Sequence, residues 1–350
     1  MNSTILIVDD MKVNIDMLTS ILRENHTIMA AISGENAIKL LERRKPDLVL
    51  LDIAMPGVDG FGVLGYMKNR TELARIPVIF VTGEHDSEVE ERGILMGAVD
   101  YIKKPYNAAV VSAKVRNHLE LKSYRDNLEQ LVYERTSQLA ASREAIIMGM
   151  SLMSESHDKI TGDHVMRIKD FTKVLAEKIM EVYPDIITEE RFRQIVLYSP
   201  LHDVGKVGIS DTILLKTGLL TPEEFNIMKT HTLDGAELLR KTETFLNHSD
   251  DSDDLGVAIE IAECHHERFD GTGYPHGMKG DEIPMSARIV AVADVYDALR
   301  SSRPYKKAYT HQEAVDIINS ENIEGGKCHF DPSVLSVFQT VGDAFDSIYR

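Results

Sequence analysis

Short apolar runs alternate with amphipathic stretches over the first 120 residues. Residues 4–8, 27–31, 47–51, 78–81 and 101–102 read as strands. Their apolar side chains are too continuous for a half-exposed sheet, and helical periodicity lies between them, which together predict a parallel sheet covered on both faces. From 107 to 150 no strand signal remains. Leu121, Leu128, Val132, Leu139 and Ile146 recur at spacings of seven and four, which suits one long helix pairing with a copy of itself. Arg135 and Ser142 interrupt that seam, and a single amphipathic helix packed on its own domain fits the pattern equally well. Beyond Ser151 the chain reads as helical almost throughout, with breaks at Pro184, 205–208, Gly218, Pro222, 271–280 and Pro284. The predicted organisation is a doubly wound five-stranded α/β domain at 1–120, a linker helix and possible coiled coil at 121–147, and an all-α helical bundle at 148–350.

Composition narrows the function. The chain has 350 residues, which is long for one core and natural for two domains. A net charge of -17 speaks against a nucleic-acid polymer as partner, since phosphate backbones are bound by clustered Lys and Arg, and no basic helix-turn-helix stretch follows the first domain. There are two cysteines, Cys264 and Cys328, too few for a disulfide framework or a thiolate cage. No apolar run is long enough to span a bilayer, and the expected location is the cytoplasm.

In a doubly wound sheet, functional groups collect beyond the carboxyl ends of the strands. Asp9 and Asp10 follow the first run, Asp52 and Thr82 close the third and fourth, and Lys104 follows the fifth. Clustered carboxylates repel unless a divalent cation sits among them, and oxygen-only ligation suits Mg²⁺. Asp52 is placed to accept a phosphoryl group as an acyl phosphate, with Thr82 and Lys104 placed to hold its oxygens.

With those residues in place, 1–120 resembles a response-regulator receiver domain, a flavodoxin-like fold. The resemblance implies Asp52 as phosphoacceptor, Tyr101 as the switch aromatic, a cis peptide before Pro105 and a histidine kinase as partner.

A second constellation occupies the helical region. His164, the pair His202-Asp203, His231, the pair His265-His266 and Asp294 form a ligand inventory sized for more than one metal ion. Imidazole with carboxylate suits Fe, Mn, Ni or Zn, and paired metals are the usual apparatus for attacking phosphate esters. Asp294 stands in an otherwise apolar helix, where an unpaired carboxylate would cost several kcal/mol.

The stretches Thr161-Gly162-Asp163-His164, His202-Asp203-Val204-Gly205-Lys206, Met228-Lys229-Thr230-His231, His265-His266-Glu267 through Gly273-Tyr274-Pro275, Asp294 through Leu299, and Arg303-Pro304-Tyr305 together resemble the HD-GYP family of cyclic di-GMP phosphodiesterases. The resemblance implies one metal on His164, His202, Asp203 and Asp294. It implies a second on His231, His265 and His266, with Asp203 as the bridge. It makes an activated water the nucleophile, Lys206 the residue that neutralises charge on the phosphoryl group, and Tyr274, Arg303 and Lys306 substrate contacts. Members with a third metal carry a glutamate where this chain has Ile160, so the expectation is two metals.

The expected protein is a phosphorylation-regulated response regulator, a homodimer through its linker. Its output domain opens cyclic di-GMP to linear pGpG, with onward cleavage to GMP left open. The competing readings are a metal-stabilised module that binds a nucleotide or partner without turnover, and a phosphodiesterase for another cyclic dinucleotide.

Overall fold

The computed structural model describes residues 3–83, 87–155, 163–246, 255–301, 307–320 and 328–349. The chain divides into two compact units, Met1–Ser137 and Gln138–Arg350.

The first unit is a five-stranded parallel sheet in the order β2-β1-β3-β4-β5, from β1 (Ser3–Val8), β2 (His26–Ala31), β3 (Leu48–Asp52), β4 (Val78–Thr82) and β5 (Asp100–Lys103). Every residue of β3 and β4 is buried, as continuous apolar runs require of strands covered on both faces. Between them run α1 (Lys12–Leu22), α2 (Gly34–Arg43), α3 (Gly60–Lys68), α4 (Thr71–Ala74) and α5 (Ser87–Leu95). Two of these start where a side chain satisfies an otherwise orphaned amide: Ser33 Oγ accepts from Asn36 N at 3.2 Å and Asp59 Oδ1 from Gly62 N at 2.8 Å. The register pairs Val8 with Leu51, Asp52 with Val81 and Thr82 with Lys103, so the polar residues at the strand ends emerge along one edge.

The helix α6 (Ala108–Glu155) is 48 residues long, and the division between the units falls within it. Leu121, Leu128, Val132, Leu139 and Ile146 are all exposed, between 43% and 71%. That speaks against a helix using this seam to pack on its own domain.

The second unit continues with α7 (Asp163–Val182), α8 (Glu189–Tyr198), a 3₁₀ helix (Ser199–Gly208), α9 (Asp211–Leu214), α10 (Pro222–Lys229), α11 (His231–Leu246) and α12 (Gly256–Cys264). It closes with a short 3₁₀ turn (Gly280–Glu282), α13 (Met285–Arg300), α14 (His311–Ser320) and α15 (Pro332–Tyr349). Its core joins α7, α13 and α15 through aromatic packing: Phe171 stacks on Phe345 at 4.6 Å, and Tyr296 meets Phe345 edge-on at 5.1 Å.

The expected break at 205–208 is not a loop. Gly205 lies inside the 3₁₀ helix, and a Cβ there would come within 1.9 Å of the His231 carbonyl oxygen and 2.4 Å of Gly235 N. The missing side chain lets this helix lie directly on α11, which brings His202 and Asp203 beside His231.

Candidate metal centre and phosphoacceptor site

In the second unit, four imidazoles enter from four different elements. His164 sits in the first turn of α7, His202 in the 3₁₀ helix, His231 at the start of α11 and His265 immediately after α12. Each Nδ1 faces an acceptor that cannot donate, so each Nδ1 must carry the proton. His202 donates to Ser199 O at 3.1 Å, His231 to Met228 O at 2.7 Å and His265 to Ile261 O at 3.0 Å. His164 donates to Asp297 Oδ2 at 2.6 Å. All four therefore direct Nε2 inward, the arrangement by which neighbouring acceptors orient metal-ligating histidines.

Asp203 stands where these nitrogens converge. Its Oδ1 lies 3.2 Å from His231 Nε2 and 3.8 Å from His265 Nε2, and its Oδ2 lies 3.2 Å from His202 Nε2 and 2.7 Å from Lys206 Nζ. One ligand atom each from Asp203, His231, His265 and His266 fall within 4.8 Å of one another, and so do one each from Glu155, His164, His202 and Asp203. The two groups share Asp203. Asp294 is outside the second group but adjacent, with Oδ1 3.9 Å from His202 Nε2.

These residues fit a metal centre on the evidence of their own unmet valences. Among the described residues, His202 Nε2, His231 Nε2, His265 Nε2, Asp203 Oδ1 and both oxygens of Glu155 are buried without a hydrogen-bond partner. Buried polar atoms are ordinarily paired, and six convergent exceptions make a ligand set. The electrostatics agree. Burial opposes charge on His202, yet Asp203, Asp294 and Glu155 outweigh it and push its pKa up to about 9. Burial would raise Asp203, but Lys206 and His202 hold it well below the usual carboxylate range. Burial lowers His265, with His266 adding to it, and burial takes His266 down to about 4 against the pull of Asp294. The lowered pKa values of His265 and His266 beside an ionised bridging Asp203 suit metal ligation, while His202 has to release a proton when a cation binds.

The wall beside the centre is built by Glu267. This 4% exposed carboxylate accepts from the backbone N–H groups of His276, Gly277 and Met278 at 2.7, 3.1 and 3.0 Å. It ties down the turn that carries Tyr274. Gly273 is required there, since a Cβ would come within 2.3 Å of Arg268 N. Tyr274 N donates to His266 O at 3.2 Å, and its ring lies 4.8 Å from that of His266. Phe225, 45% exposed, meets the Tyr274 ring at 6.3 Å, and Lys229 Nζ stands 4.7 Å from the Phe225 ring and 5.5 Å from that of Tyr274. Arg303, Lys306 and Ile160 lie outside the described residues.

Sequence reasoning missed Glu155 and the role of Asp297. Asp297 was visible as an acid three positions after Asp294 on a helix, a spacing that puts both on one face. Glu155 carried no such signal.

In the first unit, Asp9, Asp10 and Asp52 each place a carboxylate oxygen within 4.8 Å of the others. Lys104 Nζ lies 2.9 Å from Asp9 Oδ2 and 3.3 Å from Asp52 Oδ2, and the Lys104-Pro105 peptide is cis. Burial and the neighbouring Asp9 push Asp52 up to about 6, a penalty that a cation among the three acids would relieve. Buried Thr82 closes β4 beside them. Tyr101 is half-buried on β5, with Lys114 Nζ 4.8 Å from its ring.

Comparison with known proteins gives two family matches: the response regulator receiver domain over residues 5–116 and the HD domain over residues 185–334. Glu155 and His164 precede the second match. A probable cyclic di-GMP phosphodiesterase of Vibrio cholerae serotype O1 is 41% identical over 344 residues, 96% of this chain and 77% of that protein. The cyclic di-GMP phosphodiesterase response regulator RpfG of Xanthomonas campestris pv. campestris is 34% identical, covering 80% of this chain and 72% of that protein. A 3'3'-cGAMP-specific phosphodiesterase 2 of Vibrio cholerae is 35% identical, covering 62% of this chain and 39% of that protein.

Proposed function

Since the chain belongs to the family of response regulators that join a receiver domain to an HD-GYP cyclic di-GMP phosphodiesterase domain, we propose that its bundle hydrolyses cyclic di-GMP to linear pGpG at the centre bridged by Asp203. The protein is a metal-dependent phosphodiesterase response regulator. The observation that carries the assignment of the site is the convergence of the Nε2 atoms of His231 and His265 on Oδ1 of Asp203 and of His202 Nε2 on its Oδ2.

Divalent metals held there would polarise the phosphodiester and supply a nucleophilic water near neutral pH. His231, His265, His266 and Asp203 would hold one, and His164, His202, Asp203 and Asp294 the other. Nitrogen and carboxylate donors without thiolate favour Fe, Mn or Ni, with Zn also accommodated. Lys206, 2.7 Å from Asp203 Oδ2, balances the charge of the bridging carboxylate and stands ready to pair with the phosphoryl oxygens. The ring of Tyr274 offers a face for a guanine, and Arg303 and Lys306 supply cations for the substrate's phosphates.

Asp52 is the phosphoacceptor, with Mg²⁺ among Asp9, Asp10 and Asp52, and the donor is a histidine kinase. Thr82 and Lys104 then hold the phosphoryl oxygens, and Tyr101 responds to them. The exposed seam Leu121, Leu128, Val132, Leu139 and Ile146 supports a homodimer through α6. The two free cysteines suit the reducing cytoplasm.

The test is turnover of cyclic di-GMP and of 3'3'-cGAMP by full-length protein loaded with Mn²⁺, with products separated by chromatography. Wild type is expected to open cyclic di-GMP faster, and Asp203→Ala to be inactive. Faster turnover of 3'3'-cGAMP would overturn the substrate assignment. Equal rates for wild type and Asp203→Ala would overturn the site.

A further inference from the structure

The linker helix carries a carboxylate that the ligand assignment above leaves unused. Glu155, in α6, is 3% exposed. Among the described residues neither of its oxygens meets a hydrogen-bond donor, although Oε1 lies 3.5 Å from His164 Nε2. Its placement is unfavourable, because a buried carboxylate without a hydrogen-bond partner costs several kcal/mol. A neutral residue would avoid that penalty, and among the described residues His164 is the ion-pair contact that Glu155 has.

The neighbouring residue shows that this turn of the helix is held in position. Ser154, 2% exposed, donates its hydroxyl to the carbonyl oxygens of Asp203 and Val204 at 2.8 and 3.2 Å. The same turn of α6 is thus fastened to the backbone of the bridging residue, and Glu155 is aimed at the space that His164, His202 and Asp203 share. Ligand atoms of these four lie within 4.8 Å of one another. Asp294, by contrast, has its side chain 19% exposed and is 3.9 Å from His202.

We propose that Glu155 is a direct ligand of the cation on the His164–His202 side of the centre. That side then has two imidazoles and a carboxylate from each of Glu155, Asp203 and Asp294, a donor set that favours a hard divalent ion such as Mn²⁺ or Fe²⁺. This inference rests on the metal-centre reading and adds a donor to it.

The experiment uses full-length wild type, Glu155→Gln and Asp203→Ala. It measures Mn²⁺ per chain after desalting, Mn²⁺ affinity by titration, and melting temperature with and without Mn²⁺. Glu155→Gln is expected to lose one tightly held Mn²⁺ per chain, or to bind it about tenfold or more weakly, the lower bound set by what even indirect ligand support contributes. Its metal-free melting temperature is expected to rise, because a buried charge is gone, while the increment added by Mn²⁺ shrinks. A purely structural Glu155 would give the reverse, a lower metal-free melting temperature with unchanged Mn²⁺ content, and that result overturns the proposal.

Anomalous diffraction from Mn²⁺-soaked wild-type crystals tests the same point whether or not the variant folds. A manganese peak near His164 beyond bonding distance of Glu155 overturns it. Should wild type itself hold no Mn²⁺, or Asp203→Ala match wild type, the metal-centre reading fails. Should only Glu155→Gln match wild type, this inference fails alone.

Discussion

Replacing Asp297 by Asn tests whether the orientation of the imidazoles, rather than their mere presence, makes the centre. Asp297 is 1% exposed and belongs to neither of the convergent ligand groups. It takes the Nδ1 proton of His164 at 2.6 Å, receives Arg167 through both Nε and Nη2, and accepts the Ser301 hydroxyl at 3.2 Å. A carboxylate serves all three donors with two oxygens, whereas an amide has one acceptor oxygen. If Arg167 keeps that oxygen, the amide NH₂ faces His164 Nδ1. The imidazole must then move its proton to Nε2, the atom aimed at the metal. If His164 keeps the oxygen, the bond is neutral rather than charge-assisted, a loss of about 1–2 kcal/mol.

Either path weakens binding at the His164 side by about 10- to 100-fold, at about 1.4 kcal/mol for each tenfold. Calorimetric titration of the metal-free variant with Mn²⁺, alongside its circular dichroism, gives the answer. An affinity within twofold of wild type in a folded variant would refute the claim that Asp297 sets the tautomer of His164.

Two further outcomes follow from packing and charge. Gly205→Ala puts a methyl group 1.9 Å from the His231 carbonyl oxygen, where backbone on both sides must yield. Chemical denaturation is expected to show about 3 kcal/mol of lost stability, and Mn²⁺ binding should fall with it because His202 and His231 separate; a loss below about 0.5 kcal/mol would contradict the close approach. Asp331, 5% exposed, is raised by burial, but Ser333 and Arg288 (Nη1 to Oδ2, 2.7 Å) hold its pKa below the usual range. A depressed folded-state pKa stabilises at pH above the unfolded value of about 4 and stops doing so as the pH falls through the folded value. Asp331→Ala should therefore cost about 3 kcal/mol at neutral pH, and urea melts should show the gap to wild type closing as the medium is acidified below about pH 4; a gap independent of pH would contradict the pairing.

Much of this was legible along the chain. The five strands emerge from runs such as residues 78–81, because a parallel strand buried on both faces has nowhere to put a polar side chain, and their ends then locate Asp9, Asp52, Thr82 and Lys104. His202-Asp203 and His265-His266 announce themselves by being polar pairs in apolar surroundings. Glu155 does not. It lies in a helix whose surface is largely charged, so one more acid carries no signal until tertiary packing buries it, at 3% exposure. Gly205 was read as a break because glycine interrupts helices by its conformational freedom, whereas here it serves by its small volume. For the seam of α6, periodicity left pairing and self-packing even, and exposure of Leu121 through Ile146 decided against self-packing.

The protons on His202, His231 and His265 are parked on the carbonyls of Ser199, Met228 and Ile261, so the tautomers are dictated by main chain and not by cargo. Stripping the ions with a chelator cannot relax these rings by swapping protons; relief comes only by taking up a second proton, as His202 does beside Asp203. The vacated centre keeps its imidazoles crowded together, restrained by the elements that donate its members. It is ready to take up a cation again without rebuilding, and it withstands heat less well until it does.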